Sequence, residues 1–289
     1  MPNLRDIQRR IKSVGNTSQI TKAMQLVASA KMRRAQEQAL SGRTYLGALA
    51  YVFAHLRENI DKDLHPFLLD GKGDRELVLA ISPDKGLCGA LNTNLYKEIK
   101  QNFPANADFI TIGKRIDSYL TKTRHNVIAR FAIGDPVALI DLKAVFMMIR
   151  QEFLSGKYNK VSVAFTRYVN TLVQKPVVEQ LLPIREEQLD KLSEMGHQER
   201  EGIQTNFTLE PGPQELLAAI LPLFVFYDVV QMVFESRASE HSARMVSMKA
   251  ATENAQDIIS DLTLVYNKAR QTAITSELTE ISSAMKAME

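Results

Sequence analysis

The sequence contains one cysteine, and it has almost no glycine or proline at either end. Because Cys88 stands alone, an internal disulfide and a zinc site built from several cysteines are both excluded, and a reducing compartment fits. Of the 13 glycines and 10 prolines among 289 residues, ten and nine respectively fall between Pro66 and Pro222. The 67 residues after Pro222 contain neither. Both ends can therefore form long helices, whereas the middle contains most of the turns.

Long apolar runs and a large excess of one charge are also lacking. The most apolar run, Leu216–Tyr227, has 12 residues and contains Pro222, whereas a bilayer-spanning helix needs about 20. The opening residues, MPNLRDIQRR, are charged where a signal peptide has an apolar core. The net charge of +3 is too small to indicate a partner. We therefore expect a globular chain that neither crosses a membrane nor is exported by a signal peptide.

The charges are unevenly distributed along the chain. Residues 1–43 contain nine Lys or Arg against two Asp or Glu, and residues 223–289 contain six against nine. A basic end can bind nucleic acid or anionic lipid, or it can lie beside acidic surfaces of the same chain or of its partners. No aromatic residues are interleaved with the basic ones for stacking on bases. We therefore favour the second interpretation and expect no nucleic-acid partner.

Both ends carry the apolar spacing of a coiled coil. Near the start, apolar residues recur in steps of three and four, with a predicted break at Ser41-Gly42. Near the end the same spacing continues without a slip through Met245, Met248, Thr252, Ala255, Ile259, Leu262, Tyr266, Ala269 and Ala273. A helix of that length extends about 100 Å, roughly twice the diameter of a compact sphere of this mass. We therefore predict that residues 1–65 and 214–289 form protruding helices that pair antiparallel as one unit.

Residues 66–213 are predicted to form a Rossmann-like α/β body. Strand-like runs alternate with helical segments, which favours a mostly parallel sheet. The predicted strands are 76–82, 108–113, 126–133, 160–170 and 177–184, and the predicted helices lie near 94–103, up to about 123, and at 137–155. Residues 185–213 are rich in Glu, Gln and Gly, and are interpreted as a polar connection to the last helix.

The sequence contains no phosphate-binding motif. Both G-x-x-x-x-G-K-[ST] and G-x-G-x-x-G following a strand are absent. The loop Asp84–Gly89 follows the first predicted strand, where phosphate loops lie, but its two glycines more often mark a tight turn with close backbone packing. Cys88, inside this loop, has no local histidine partner, so we expect a buried bystander thiol.

The remaining polar residues give no catalytic or metal-binding pattern. The five histidines are scattered, without a pair at helical i, i+4 spacing. The segment Ser239-Glu240-His241 has the residue types of a catalytic triad, but consecutive helical residues point about 100° apart and cannot form a relay. We expect this segment on a solvent or interface face. We predict no catalytic residue, no cofactor and no metal.

Four stretches resemble one known family. They are Met1–Gln36, Asp84–Asn94 (DKGLCGALNTN), Phe207–Leu217 (FTLEPGPQELL) and Glu235–Ile281, the last containing ESRASEHSARMVSMKAATENAQ and DLTLVYNKARQTAITSELTEI. Each is similar to the γ subunit of F-type ATP synthase, and together they span the whole chain in order. The resemblance is weakest in the middle.

This resemblance implies a central rotor shaft without catalytic groups of its own. In that family the terminal helices stand inside a ring of α and β subunits, and the α/β body contacts the ε subunit and the membrane ring of c subunits. The resemblance therefore implies these four partners, one copy per complex, and a part in regulating ATPase activity and proton flow. It also implies a location on the cytoplasmic face of a bacterial inner membrane.

The resemblance also assigns roles to individual residues. Arg270, Gln271 and Thr275 match positions that meet the catch loops of the β subunits. Met24 matches a methionine that faces β from the N-terminal helix, and Arg244 matches an arginine coupled to it. The loop residues Asp84, Lys85, Gly86 and Gly89 match a loop that is either partner-facing or structural. This loop departs from the family pattern at Pro83 and Ala90, which leaves its backbone conformation open.

Two other functions remain compatible with the residues alone. One is an α/β nucleotide- or phosphate-binding protein with dimerising helical arms, which requires the loop Asp84–Gly89 to hold a phosphate. The other is a basic coiled-coil protein that binds nucleic acid with strong salt dependence.

Overall fold

The computed structural model describes residues 4–56, 65–103, 107–185, 188 and 212–288. The predicted connection 185–213 lies almost entirely outside these residues, as does the first part of the stretch Phe207–Leu217. Within the described residues the chain divides into two compact units. One unit contains residues 1–29 and 244–289, and the other contains residues 30–243.

The larger unit is built on a five-stranded sheet. Its elements are β1 (Arg75–Ile81), α2 (Leu91–Asn102), β2 (Asp108–Ile112), α3 (Lys114–Lys122), β3 (Asn126–Phe131), α4 (Leu139–Leu154), β4 (Tyr158–Tyr168) and β5 (Gln174–Leu182). The strand order is β3-β2-β1-β4-β5. The first four strands are parallel neighbours, and β5 pairs antiparallel with β4. The predicted, mostly parallel α/β sheet is confirmed, and the antiparallel strand is its edge.

Alternating side chains of the central strands supply two apolar layers. On β1, Leu77, Leu79 and Ile81 face one side of the sheet, and Val78 and Ala80 face the other. The second side is covered by α2 and α3, through residues such as Leu95, Ile99, Ile116 and Leu120. The first side is covered by α4 and by the start of the last helix. Because both faces of β1 are buried, its sequence is continuously apolar rather than alternating.

Two long helices form the ends of the chain. Helix α1 is Leu4–Leu56, and helix α5 is Pro213–Met288. The predicted break at Ser41-Gly42 is wrong, because α1 continues through both residues. Gly42 packs closely on α5: a Cβ added to it would lie 2.8 Å from Gln231 Oε1. A small residue is thus used for close helix packing instead of a turn.

The pairing of α1 and α5 is antiparallel. In the larger unit Gly42 lies against Gln231 and Phe234, whereas the ring of Tyr45, further along α1, lies 4.1 Å from the ring of the earlier residue Tyr227, at a tilt of 38°. In the smaller unit Thr21 Oγ1 and Thr252 Oγ1 are 2.7 Å apart. The seam there is formed by the buried side chains of Ile7 and Ala28 on α1 and of Met248, Thr252 and Ala255 on α5, the last three at predicted positions. The predicted antiparallel coiled coil is confirmed.

Helix α5 also carries the most apolar segment of the described chain. By length and composition alone it could cross a membrane, and half of that segment is buried inside the protein. The buried residues Leu217, Leu221, Val225, Val229 and Val233 belong to the apolar layer on the sheet. This packing accounts for the apolar composition of that part of α5 as the core helix of an α/β unit. Pro222 lies inside the helix and does not end it.

Candidate partner interface

The residues predicted to meet a partner near the end of the chain lie on an exposed part of α5. Arg270, Gln271 and Thr275 are all exposed. Since Thr21 faces Thr252 in an antiparallel pair, the position opposite Leu4, where α1 begins, falls near Ala269. Every described residue from 274 to 288 is exposed. This end of α5 therefore continues beyond its pairing with the described part of α1, and its whole circumference is available to other molecules.

Gln271 and Thr275 lie on one face of α5, as their spacing predicts. Together with other polar residues they line a shallow groove along the helix, formed by Lys268, Gln271, Thr272, Thr275, Ser276 and Thr279. The Thr275 hydroxyl donates to the Gln271 carbonyl at 2.9 Å, and the Thr279 hydroxyl donates to the Thr275 carbonyl at 2.8 Å. The hydroxyl protons of Thr275 and Thr279 are therefore used within the helix. A partner can still donate hydrogen bonds to the two threonine oxygens, and the side-chain amide of Gln271 can both donate and accept.

Met24 and Arg244 lie at a different level of the coiled coil. Both are half-buried. Arg244 and Arg270 are 26 residues apart on one helix, which separates them by about 39 Å along the axis. The predicted contact residues thus form two separate contact regions. One contains Met24 and Arg244, and the other contains Arg270, Gln271 and Thr275.

The loop after β1 caps the first turn of α3. Three backbone N–H groups of α3, which lack partners within a helix, donate to this loop. The bonds are Lys114 N to Asp84 Oδ1 (3.0 Å), Arg115 N to the Pro83 carbonyl (3.2 Å) and Ile116 N to Ser82 Oγ (2.9 Å). The Asp84 carboxylate accepts the first of these bonds, as a bound anion could. The loop therefore supplies acceptors to the first turn of α3.

Of the two glycines of the loop, Gly89 is required by backbone geometry, whereas Gly86 only approaches the end of a flexible side chain. Gly89 has a positive φ of 58°, a backbone conformation that residues with a Cβ rarely adopt. A Cβ on Gly86 would lie 3.0 Å from the Arg115 guanidinium. Lys85 is exposed. Cys88 is buried in a small apolar cluster with Leu91 and Ala243, as predicted for a bystander thiol.

The expectation that Ser239-Glu240-His241 lies on a solvent or interface face is wrong. All three residues are buried, with 0%, 5% and 2% of their surface exposed. Ser239 Oγ donates to the Thr166 carbonyl of β4 at 3.0 Å, so it joins α5 to the sheet. Glu240 pairs with Arg237 on the same helix. Ser239 therefore holds the helix on the α/β body, and Glu240 holds Arg237 in place.

A charged cluster that sequence reasoning missed joins both long helices to the loop between β3 and α4. Lys31 Nζ of α1 lies 2.7 Å from Asp135 Oδ2, and His241 Nε2 of α5 lies 3.3 Å from the same oxygen. Burial would raise the pKa of Asp135, but the hydrogen bond from Lys31 and the nearby His241 and Arg237 lower it below its usual value. About a hundred residues separate each helix residue from Asp135, so no local pattern reveals the cluster.

A second group of charges lies where α5 crosses β4 and β5. Arg167 on β4 pairs with Glu179 on β5 and lies 3.7 Å from Glu235 on α5. Asp228, half-buried on α5, belongs to the same group. Its burial, together with the carboxylates of Glu179 and Glu235, raises the pKa of Asp228 to about 7 against the opposing effect of Arg167. Within the described residues, no group of His, Cys, Asp and Glu has an arrangement suited to a metal ion.

Known proteins share both the sequence and the fold of this chain. A family profile described as ATP synthase matches residues 3–288. The ATP synthase gamma chain of Akkermansia muciniphila is 55% identical over 100% of both chains, and that of Opitutus terrae is 40% identical over 98% of both. In fold, the chain is similar to one in the Euglena gracilis mitochondrial ATP synthase in rotational state 3. That match has a TM-score of 0.69 at 21% identity, over 99% of this chain and 94% of the other.

Proposed function

The chain belongs to the ATP synthase gamma-chain family, and from this membership we propose that it is the central rotor shaft of an F-type ATP synthase. A gamma chain is a non-catalytic subunit. It couples proton flow through the membrane sector to ATP synthesis or hydrolysis on the β subunits by rotating. The observation that carries the proposal is the end-to-end sequence match to gamma chains, which includes both helices of the coiled coil.

The described helices suit a shaft. Helix α5 has 76 residues, which corresponds to about 114 Å of uninterrupted helix. After Pro222 it contains no glycine or proline at which it would bend easily. A rotor needs a stiff element of this kind because a shaft that twists easily would transmit less of the rotation to the catalytic subunits. Each β subunit changes its nucleotide affinity by conformation, so the shaft acts by favouring one conformation over another.

We assign the two contact regions on the coiled coil to contacts with the catalytic ring. Arg270, Gln271 and Thr275 are proposed to contact the β-subunit catch loops. Met24 and Arg244 are proposed to contact the ring at the other contact region. Exposure of the first three supports this assignment. For the loop Asp84–Gly89, the hydrogen bonds to α3 support the structural role over a direct partner contact.

The partners and location follow from the same family. We propose that one copy of the chain assembles with the α and β subunits, the ε subunit and the ring of c subunits. The complex would lie on the cytoplasmic face of a bacterial inner membrane, with this chain as a peripheral component. Regulation of ATPase activity and of proton flow would act through the same contacts.

The alternative, a nucleotide- or phosphate-binding protein, has less support. It requires free N–H groups near the loop after β1, but the first turn of α3 already donates to Ser82, Pro83 and Asp84. The Asp84 carboxylate would also repel a phosphate placed there. Titration of the full chain with ATP and with inorganic phosphate tests this alternative directly, and we expect no saturable binding of either.

Reconstitution with purified α and β subunits tests the proposed function. We expect the chain alone to hydrolyse no ATP, and a mixture of all three to form a complex with steady ATPase activity that requires this chain. Robust ATP turnover by the purified chain alone would contradict the proposal. Failure of the chain to bind a mixture of α and β subunits that is otherwise competent to assemble would contradict it as well.

A further inference from the structure

The loop between β3 and α4 is held by both terminal helices through a set of directed polar contacts. We call this set the helix clamp and define it as Lys31, Asp135, Arg237 and His241, together with the carbonyl of Ile133. Asp135 Oδ2 accepts a hydrogen bond from Lys31 Nζ of α1 at 2.7 Å, and His241 Nε2 of α5 lies 3.3 Å from the same oxygen. A single carboxylate therefore connects the loop to both helices.

Arg237 supplies a second contact to the same loop. Its Nη2 donates to the Ile133 carbonyl at 2.9 Å, and its Nη1 lies 2.9 Å from Glu240 Oε2. The side chains of Arg237 and Glu240 are 8% and 7% exposed, so the guanidinium is held in one orientation inside the protein. A hydrogen bond from a buried charged donor is stronger than one between neutral groups. Ile133 is itself anchored, since its side chain belongs to the main apolar core.

Apolar packing and charged contacts constrain a helix differently. Apolar burial is non-directional, so a helix lying on a smooth apolar layer can rotate about its axis or slide at small cost. Hydrogen bonds and ion pairs weaken steeply with distance and angle. The hydrogen bonds of Lys31 and Arg237 fix the rotational setting of α1 and α5 against a loop that belongs to the α/β body. Rotation of either helix about its axis would break contacts at Asp135 or Ile133.

Both clamped helices continue without interruption along the chain. Helix α1 extends from Lys31 back to Leu4, and α5 extends from His241 on to Met288. Torque applied anywhere along them must be balanced where the helices are held. The clamp lies close to the limits of the larger unit on each helix, since that unit comprises residues 30–243.

We propose that Asp135 and Lys31 are positioning residues for rotary coupling, which lock the terminal helices to the α/β body so that both turn together. This inference rests on the proposed rotor function and adds to it the site at which torque passes between the shaft and the body. Neither residue contacts nucleotide, and their role is mechanical.

The test uses the complete ATP synthase in membrane vesicles, with ATP-driven proton pumping and ATP hydrolysis measured together. The variants are Lys31→Met and Asp135→Asn, with Lys31→Arg as the conservative change. Asp117→Asn is the matched control, because it removes another partly exposed ion pair of the same unit, with Arg130, that touches neither long helix. The same variants of the full-length chain are studied by amide hydrogen exchange over residues 132–138.

We expect Lys31→Met and Asp135→Asn to assemble and to keep their ATPase activity, while protons pumped per ATP fall to about half or less. Exchange at 132–138 should become about fivefold faster, in line with the loss of one partly exposed ion pair. Lys31→Arg and Asp117→Asn should retain the wild-type pumping ratio. A role in stability alone would lower assembly and pumping together and leave their ratio unchanged.

Two results would overturn the clamp. One is a wild-type pumping ratio in Asp135→Asn, and the other is an equal fall in Asp117→Asn. Failure of the proposed function itself looks different, because the wild-type chain would then support no ATP-driven pumping at all. In that case faster exchange at residues 132–138 in Asp135→Asn would still support the contact, and unchanged exchange would remove it.

Discussion

Gly113 joins β2 to α3 in a conformation that only glycine adopts easily. Its φ is +97°, and a Cβ at this position would lie 2.0 Å from the Ser82 carbonyl oxygen. Ser82 in turn supports the cap of α3 through its hydroxyl. The backbone at Gly113 is thus fixed by a close approach between the ends of two parallel strands.

The substitution Gly113→Ala should destabilise the chain by about 3 kcal/mol or more, since both backbone strain and a clash with backbone oppose it. Chemical denaturation of the full-length chain measures this. The matched control is Gly15→Ala in α1, where an added Cβ would meet nothing within 4 Å. Alanine is the better helix former by about 1 kcal/mol, so this control should stabilise the chain. Equal changes in the free energy of unfolding for Gly113→Ala and Gly15→Ala would contradict a special backbone requirement at Gly113.

Asp228 should make stability depend on pH in an unusual direction. Its pKa is raised to about 7 in the folded chain from 3.8, so the folded state binds the proton more tightly than the unfolded state does. Stability therefore falls as the pH rises from about 4 to about 7. The shift corresponds to at most about 4 kcal/mol, and since Asp228 is partly exposed we expect about 2 kcal/mol.

The substitution Asp228→Asn removes this titration. At pH 8 the variant should be more stable than the wild type by about 2 kcal/mol, and this advantage should shrink towards zero near pH 4. Denaturation curves at several pH values provide the measurement. Asp261→Asn, at an exposed position on the same helix, is the control and should give no such pattern. A constant difference between Asp228→Asn and wild type at every pH would exclude the proposed cause.

Gln271 provides a test of the proposed contact with the catalytic ring. Because Gln271 is exposed and packs on no apolar layer, Gln271→Ala should leave the stability of the isolated chain within about 0.5 kcal/mol of wild type. In the complex with α and β subunits, it should lower the steady ATPase rate by about two- to tenfold. Glu277→Ala is the control, since Glu277 lies about 200° around the helix from Thr275. A larger effect of Glu277→Ala would show that another face makes the contact.

Among the helices and strands, the end of α5 should be dispensable for folding. Residues 274–288 are all exposed, so a chain ending at Ala273 loses no buried contact. Its unfolding temperature should remain within about 2 °C of the full-length value, and it should still assemble with α and β subunits. A chain ending at Met248 is the contrasting variant, because it loses the buried seam residues Thr252 and Ala255. Loss of assembly on truncation after Ala273 would show that the tip carries the essential contacts.

The strands and helices of the body could be predicted because each has a strong local pattern. The buried run of β1 and the apolar spacing of α4 set their limits to within two residues. Gly42 shows where such patterns fail: the residue suggests a turn, yet it permits α5 to pack closely against α1. That contact depends on Gln231, almost two hundred residues away, and no local rule includes it.

Some features of the candidate sites could likewise be predicted from local patterns, and others could not. The shared face of Gln271 and Thr275 follows from helical spacing alone, and the structure places both in one groove. The burial of Ser239-Glu240-His241 could not be predicted, because three adjacent polar residues normally face solvent. Two of their neighbours, the Thr166 carbonyl and Asp135, come into reach only through tertiary packing.

As a whole molecule, the chain is suited to a mechanical role. Continuous helices, an exposed end that carries both polar and apolar side chains, and a body held to both helices describe a subunit that transmits force and conformational preference. The polar groups of the body are used to hold its own elements together, as in the cap of α3 and in the helix clamp. Activity should therefore reside in the assembly, and this chain should change the rate and direction of a reaction carried out by its partners.

Rotation of this chain against immobilised β subunits tests that claim most directly. A reporter can be attached through a cysteine introduced at the exposed residue Lys143, because the native Cys88 is buried. We predict stepwise rotation in one direction when ATP is supplied, and arrest when hydrolysis is blocked. Sustained ATP hydrolysis by the assembled complex, with the chain stationary relative to the β subunits, would contradict the account.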